Sequence, residues 1–270
     1  MKYISLLVIL FSIGCAHKSQ RVTIAVGEMD GLRFESLKRY NNNRLESIKN
    51  GKKDIAMCHK GMYNQALNKF KTTLDSKQNN PKYWNKIATC YLLKEELPKA
   101  KFYYDLALKT AGKNKKMNAI IKNNLGLYFN LLNKDHEAMA SFKESMKLNS
   151  KLLTPKYNMA KILLRFGHYS KAKTILTKLY KKAPKDIDFT ASLGHLNLMT
   201  GKYKRSIWYY TQLPQKFLAK DNYATNLAMA YVMDGRYKKA EVTLNNAERS
   251  SSYYSITQTK ILKRIDNEKK

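Results

Sequence analysis

Gly61-Met62-Tyr63-Asn64-Gln65-Ala66, Gly167-His168-Tyr169-Ser170-Lys171-Ala172 and Gly235-Arg236-Tyr237-Lys238-Lys239-Ala240 are three copies of one phrase, Gly-x-Tyr-x-x-Ala. A fourth copy, Gly201-Lys202-Tyr203-Lys204-Arg205-Ser206, has Ser206 in the Ala position. With Ala100 and Ala138 as the equivalent small residues, the series runs 66, 100, 138, 172, 206, 240, in steps of 34, 38, 34, 34 and 34. Self-similarity at a fixed period of this size marks a stacked repeat array. Only 11 Gly and 5 Pro in 270 residues leave too few turn formers for an all-β chain, so the repeating unit is helical. Apolar residues make up 44%, which is too many for a disordered chain.

Outward from the phrase, other marks recur in register. The second copy carries Trp84, Ile87, Ala88, Tyr91, Ala100, Tyr104 and Ala107; the fourth carries Met159, Ala160, Leu163, Gly167, Tyr169, Ala172 and Pro184; the sixth carries Leu227, Ala228, Tyr231, Gly235, Tyr237, Ala240 and Ala247. This pattern resembles the tetratricopeptide repeat over residues 47–252. The resemblance implies an all-α superhelical solenoid of about six helix-turn-helix repeats, with a concave inner surface. Copy one is degenerate, with Asp54 where a small residue is expected. Copy three has Asn133 for the turn Gly and a four-residue insertion near Gly112-Lys113-Asn114-Lys115.

The marks have physical reasons. Ala88, Gly126, Ala160, Gly194 and Ala228 fall where the two helices of a repeat meet, and larger side chains there would force the helices beyond their usual ~8–10 Å separation. The Gly before the Tyr supplies a left-handed turn, which costs a residue with a Cβ ~1–2 kcal/mol. Tyr91, Tyr104, Phe129, Phe142 and Tyr210 fill the space to the neighbouring pair. One repeat cannot bury its apolar face alone, so stacking is obligatory.

In tetratricopeptide arrays the first helix of each pair lines the groove. Carried onto this chain, the resemblance implies a lining of Asn85, Thr89, Leu92, Asn123, Leu127, Asn130, Tyr157, Lys161, Leu164, Arg165, His195, Leu198, Met199, Met229, Val232 and Met233. This set mixes apolar, amide and basic residues and lacks acidic ones. It suits an extended or helical peptide, with Leu and Met giving adaptable contact and Lys161 with Arg165 a carboxylate site. Each Leu and Met has an equal alternative role, packing against the adjacent repeat. The regular Lys-Asn clamp of chaperone-binding repeats is not reproduced.

Residues 1–15 read as a signal peptide: Lys2, then an apolar run about half the ~20 residues a spanning helix needs, then Gly14-Cys15. Ser12-Ile13-Gly14-Cys15 resembles a bacterial lipobox, with Ser12 in place of the usual Leu, which implies a lipidated Cys15 as a membrane anchor. Ala16 is not the Asp associated with inner-membrane retention, so the resemblance implies the periplasmic face of the outer membrane. Residues 16–46 read as a flexible tether and residues 253–270 as a C-terminal capping segment. The remaining thiols, Cys58 and Cys90, lie on first helices of adjacent repeats, either as two buried free thiols or as a disulfide in an oxidising compartment.

The chain carries 51 Lys+Arg against 20 Asp+Glu, a formal net charge of +31, which points to anionic partners such as acidic protein or lipid surfaces. Nucleic acid is disfavoured because no recognised binding motif is present. No Gly-rich phosphate loop or zinc-ligand His spacing occurs, and Asp135-His136-Glu137 falls in an inter-helix turn. The expectation is therefore a protein with no catalysis, no cofactor and no metal. Asn123-Asn124-Leu125-Gly126-Leu127-Tyr128-Phe129 resembles a stretch of the type IV pilus biogenesis lipoproteins. That resemblance implies an anchored adaptor that assists an outer-membrane secretin. The competing expectation is a structural envelope protein whose basic surface touches anionic lipid or cell-wall polymer; a glycan-processing accessory is a third.

Overall fold

The computed structural model describes residues 31–34, 53–248 and 252–268. Cys15, the apolar leader and most of the expected tether lie outside the described residues. Within them the architecture is all-α, with fifteen helices and no strand.

Six helix pairs stack in chain order. They are α1 (Lys53–His59) with α2 (Tyr63–Lys71), followed by the short α3 (Leu74–Lys77); α4 (Pro81–Leu93) with α5 (Leu97–Ala111); α6 (Lys115–Leu131) with α7 (Asp135–Leu148); and α8 (Thr154–Arg165) with α9 (Tyr169–Lys182). Next come α10 (Ile187–Met199) with α11 (Tyr203–Thr211), the short α12 (Gln215–Leu218), and α13 (Asp221–Met233) with α14 (Tyr237–Asn245). A last helix, α15 (Ser252–Glu268), lies against α13 and α14.

Helix starts follow local chemistry. Asn80 precedes Pro81 and accepts from the Lys82 amide at 3.0 Å; Asn114 accepts from the Met117 amide at 3.1 Å; Asp186 accepts from the amides of Asp188 and Phe189. Each satisfies an amide that the helix itself leaves without a partner.

The small residues act as the spacing implies. Ala66, Ala88, Ala100, Ala138, Ala160, Ala172, Ala228 and Ala240 are fully buried. A Cβ on Gly194 would come within 2.8 Å of the Tyr210 ring, and one on Gly126 would fall inside the packing surface of Phe142. Ser206 stands where the other copies have Ala because its hydroxyl, fully buried, donates to the Gly194 carbonyl at 2.9 Å. Tyr104, Phe142, Tyr157, Phe189 and Tyr210 form the interior: Phe142 and Tyr210 pack on the glycines of their own pairs, and Tyr157 meets Phe189 across two neighbouring pairs. Burial pushes the Tyr210 phenol well above its ordinary pKa, so the group is a neutral hydroxyl. At the C-terminal end, Ile261 and Ile265 of α15 cover Ala228, Val232, Ala240 and Leu244.

Cys58 of α1 and Cys90 of α4 form a disulfide, with Cα atoms 5.2 Å apart. This corrects the free-thiol alternative: the 32-residue separation is one helix pair, so the two first helices bring the sulfurs together.

Candidate functional site

The first helices of successive pairs place four asparagines on the inner surface: Asn85 on α4, Asn123 and Asn124 on α6, and Asn158 on α8. All are buried. Their amides are joined: Asn124 Nδ2 donates to Asn85 Oδ1 at 3.0 Å, Asn123 Nδ2 to Asn124 Oδ1 at 3.1 Å, and Asn158 Nδ2 to Asn123 Oδ1 at 2.9 Å.

This ladder holds main chain. Gly31-Leu32-Arg33-Phe34, a piece of the stretch read from sequence as a tether, lies in the groove. The Leu32 amide donates to Asn124 Oδ1 at 2.8 Å, and the Leu32 carbonyl accepts from Asn123 Nδ2 and Asn158 Nδ2, each at 2.9 Å. The Phe34 amide donates to Asn158 Oδ1 at 3.1 Å. Leu32, 1% exposed, joins the core of the first repeats. A carboxamide offers both a donor and an acceptor, so it can pair a peptide group as a neighbouring strand would.

Arg33 supplies the charged contact. Its Nη1 donates to Asp186 Oδ1 at 2.8 Å and Asp188 Oδ2 at 2.9 Å, and its guanidinium lies over the rings of Phe189 and Tyr157, 4.6 and 5.5 Å from their centroids. Arg33 is 6% exposed and Asp186 7%. An arginine this deep needs charge neutralisation, and the two carboxylates at the start of α10 provide it. The expectation of a groove without acidic residues is thereby corrected. Asp186 caps the start of α10 and Asp188 lies in its first turn, which places both carboxylates beside Arg33.

The expected lining residues divide into five groups. Asn123 and Tyr157 touch residues 31–34, and Asn85 supports them through Asn124. Lys161 and His195 line a cavity of about 220 Å³ with Asp188, Ser192, Tyr223 and Tyr254. Leu92, Leu127, Leu164 and Val232 are buried in the core, Leu198 and Met229 pack against it, and Thr89 bonds Tyr104. Met199 and Met233 are exposed. Arg165 forms an ion pair with Asp135, which also accepts from the Asn130 amide at 2.8 Å.

Asn124, Asn158, Asp186, Asp188 and Phe189 were missed from sequence. A signal for the asparagines existed: Asn124, Asn158 and Asn226 each stand two residues before the small helix-contact residue, with Ser192 at the same place in the fifth copy. Among the described residues, no group of three or more His, Cys, Asp or Glu is placed to hold a metal ion.

No family model matches the chain, and no curated protein matches it by sequence. Solved structures match by shape. The crystal structure of PilW, a widely conserved type IV pilus biogenesis factor, is 18% identical with a TM-score of 0.61, over 82% of this chain and 99% of that one. A structure of Pseudomonas aeruginosa pilF is 16% identical with a TM-score of 0.60, over 77% and 94%. A tetratricopeptide repeat protein from Parabacteroides merdae is 18% identical with a TM-score of 0.57, over 79% and 82%. At such identities the likeness establishes the fold alone, and that fold is the tetratricopeptide-repeat solenoid.

Proposed function

We propose that this protein is a non-catalytic adaptor that holds a peptide segment of a protein partner on its concave face. One observation carries the reading: an asparagine ladder with an acidic pair beside it grips main chain and an arginine of a short segment. The finer reading is a lipoprotein anchored through Cys15 at the periplasmic face of the outer membrane, where it assists a secretin in type IV pilus assembly. The Cys58–Cys90 disulfide supports an oxidising compartment, and the shape shared with PilW and pilF supports the pilus assignment.

Affinity capture from envelope extracts tests this, with the full chain beside its Asn123→Ala/Asn158→Ala double variant. Secretin recovered by the parent and lost by the variant is the expected result. Recovery of no secretin subunit removes the pilus reading, and partners bound equally by both chains remove the groove. Mass spectrometry of the mature N-terminus is expected to find an acylated Cys15; an unmodified thiol there ends the anchoring reading.

The net charge of +31 favours a second reading, a structural protein on anionic lipid or cell-wall polymer. That reading predicts sedimentation with anionic vesicles that falls steeply with salt and is unchanged by the asparagine substitutions.

A further inference from the structure

Residues 31–34 make contacts of the kind a bound peptide makes, but they belong to the chain that forms the groove. Leu32 and Phe34 are separated in sequence from their asparagine partners by 91 to 126 residues, and Arg33 from its carboxylates by 153 and 155. No local rule of helix capping or turn formation calls for these contacts. The groove itself has selected the segment.

The recognition has two layers. Asn123, Asn124 and Asn158 read main-chain groups, which any sequence other than proline offers at the paired amides. Asp186, Asp188, Tyr157 and Phe189 read one side chain, a guanidinium, through two carboxylate bonds and two ring faces. In a chain of net charge +31, two carboxylates meeting at one buried cation are a specific feature of the groove. Lysine fits it less well, because a point charge has no planar face to lay over the rings.

We propose that Gly31-Leu32-Arg33-Phe34 is a built-in pseudo-ligand that closes the groove, and that the site beneath it takes in its place a partner's peptide segment in which an arginine lies between two large apolar residues. The proposal rests on the adaptor reading and adds to it the chemistry of the ligand and a gate. A tethered segment competes at an effective concentration near the millimolar range, so a free peptide of equal intrinsic affinity is largely excluded. A partner succeeds by binding more tightly than the internal copy or by drawing that copy away.

The test uses the full chain and a fluorescent synthetic peptide copying residues 28–37, read by polarisation. The parent chain is expected to bind it weakly, and the Arg33→Ala chain roughly tenfold or more tightly, as the internal competitor is weakened. A peptide with Glu at the arginine position is expected not to bind the Arg33→Ala chain, and adding Asp186→Asn and Asp188→Asn to that chain is expected to abolish binding of the original peptide. Equal affinity of parent and Arg33→Ala chains overturns the gate. Equal binding of the Arg and Glu peptides overturns the arginine reading.

Circular dichroism checks that Arg33→Ala keeps the parent's helicity. A second measurement needs no variant: excess peptide should speed hydrogen exchange at the Leu32 amide of the parent chain, and unchanged exchange counts against displacement. A concentration-dependent dimer of the parent, lost in Asp186→Asn/Asp188→Asn, would reassign the site to the same segment of a second copy and overturn the partner reading. These outcomes are separable from the adaptor reading. Secretin captured equally by parent and Arg33→Ala chains sinks the gate alone, and a gated peptide site with no envelope partner sinks the adaptor alone.

Discussion

Gly61, Glu95, Asn133, Gly167, Gly201 and Gly235 all have positive φ, between 58° and 80°, and they recur at the same steps as the Ala series. Each turns the chain between the two helices of a repeat, so one backbone requirement is met six times with three residue types. Asn tolerates the left-handed region through its short polar side chain, and Glu does so at a cost. At Gly167 a Cβ would meet nothing within 4 Å, so substitution there tests conformation without steric crowding. Gly167→Val is expected to lower stability by about 1–2 kcal/mol, and Glu95→Gly to raise it by about 0.5–1 kcal/mol. Urea melts of the three chains check this, and a stable Gly167→Val chain would show that the turn is set by packing. Gly126 makes the opposite case, since its helical backbone suits any residue and the limit is the Phe142 ring. Gly126→Ala is expected to cost about 1–3 kcal/mol by overpacking, and the double variant Gly126→Ala/Phe142→Leu to recover part of that loss in the same melts.

At the scale of elements, the pairs were legible because small and aromatic residues recur where helices touch, and contacts within a pair and between neighbouring pairs are near in sequence. Three things were not legible. The short helices α3 and α12 fill irregular connections and have no counterpart in the other repeats. The acidic pair at the start of α10 carries no sequence mark of its contact with Arg33, because that contact depends on a residue over 150 positions away. The segment at residues 31–34 has no periodic pattern of its own, so nothing local distinguishes it from a tether. The disulfide between α1 and α4 was legible only as one of two alternatives, since spacing places both thiols on first helices but does not fix their approach. It ties the first pair to the second and closes a loop 32 residues long, worth ~3–4 kcal/mol on the chain-entropy account. Cys58→Ser/Cys90→Ser is therefore expected to fray α1 and α2 first, with faster hydrogen exchange there and little change beyond α8. Uniform loss of protection along the array would show that the six pairs melt as one unit.

For the whole molecule, the dominant electrostatic fact is the excess of 51 basic over 20 acidic residues. Most ion pairs among the described residues are short-range surface contacts, such as Lys99 with Glu96 and Lys101 with Asp105, and such pairs contribute little. The exception is Arg33 with Asp186 and Asp188, which is buried and hence weakly screened. Two salt effects then have opposite signs. Screening weakens the surface pairs slightly, and it relieves the repulsion among about thirty excess cations, which is the larger sum. Raising salt from about 0.01 to about 0.15 M shortens the screening length from ~30 to ~8 Å, so the melting temperature is expected to rise, by roughly 2–4 °C for each kcal/mol of repulsion removed. The Arg33→Ala chain should melt lower than the parent at every salt concentration and show the same upward slope, because the contact it lacks is the one salt reaches least. A melting temperature that falls with salt in the parent, and does not fall in Arg33→Ala, would mean that the buried arginine is exposed to solvent ions and that the groove is already open.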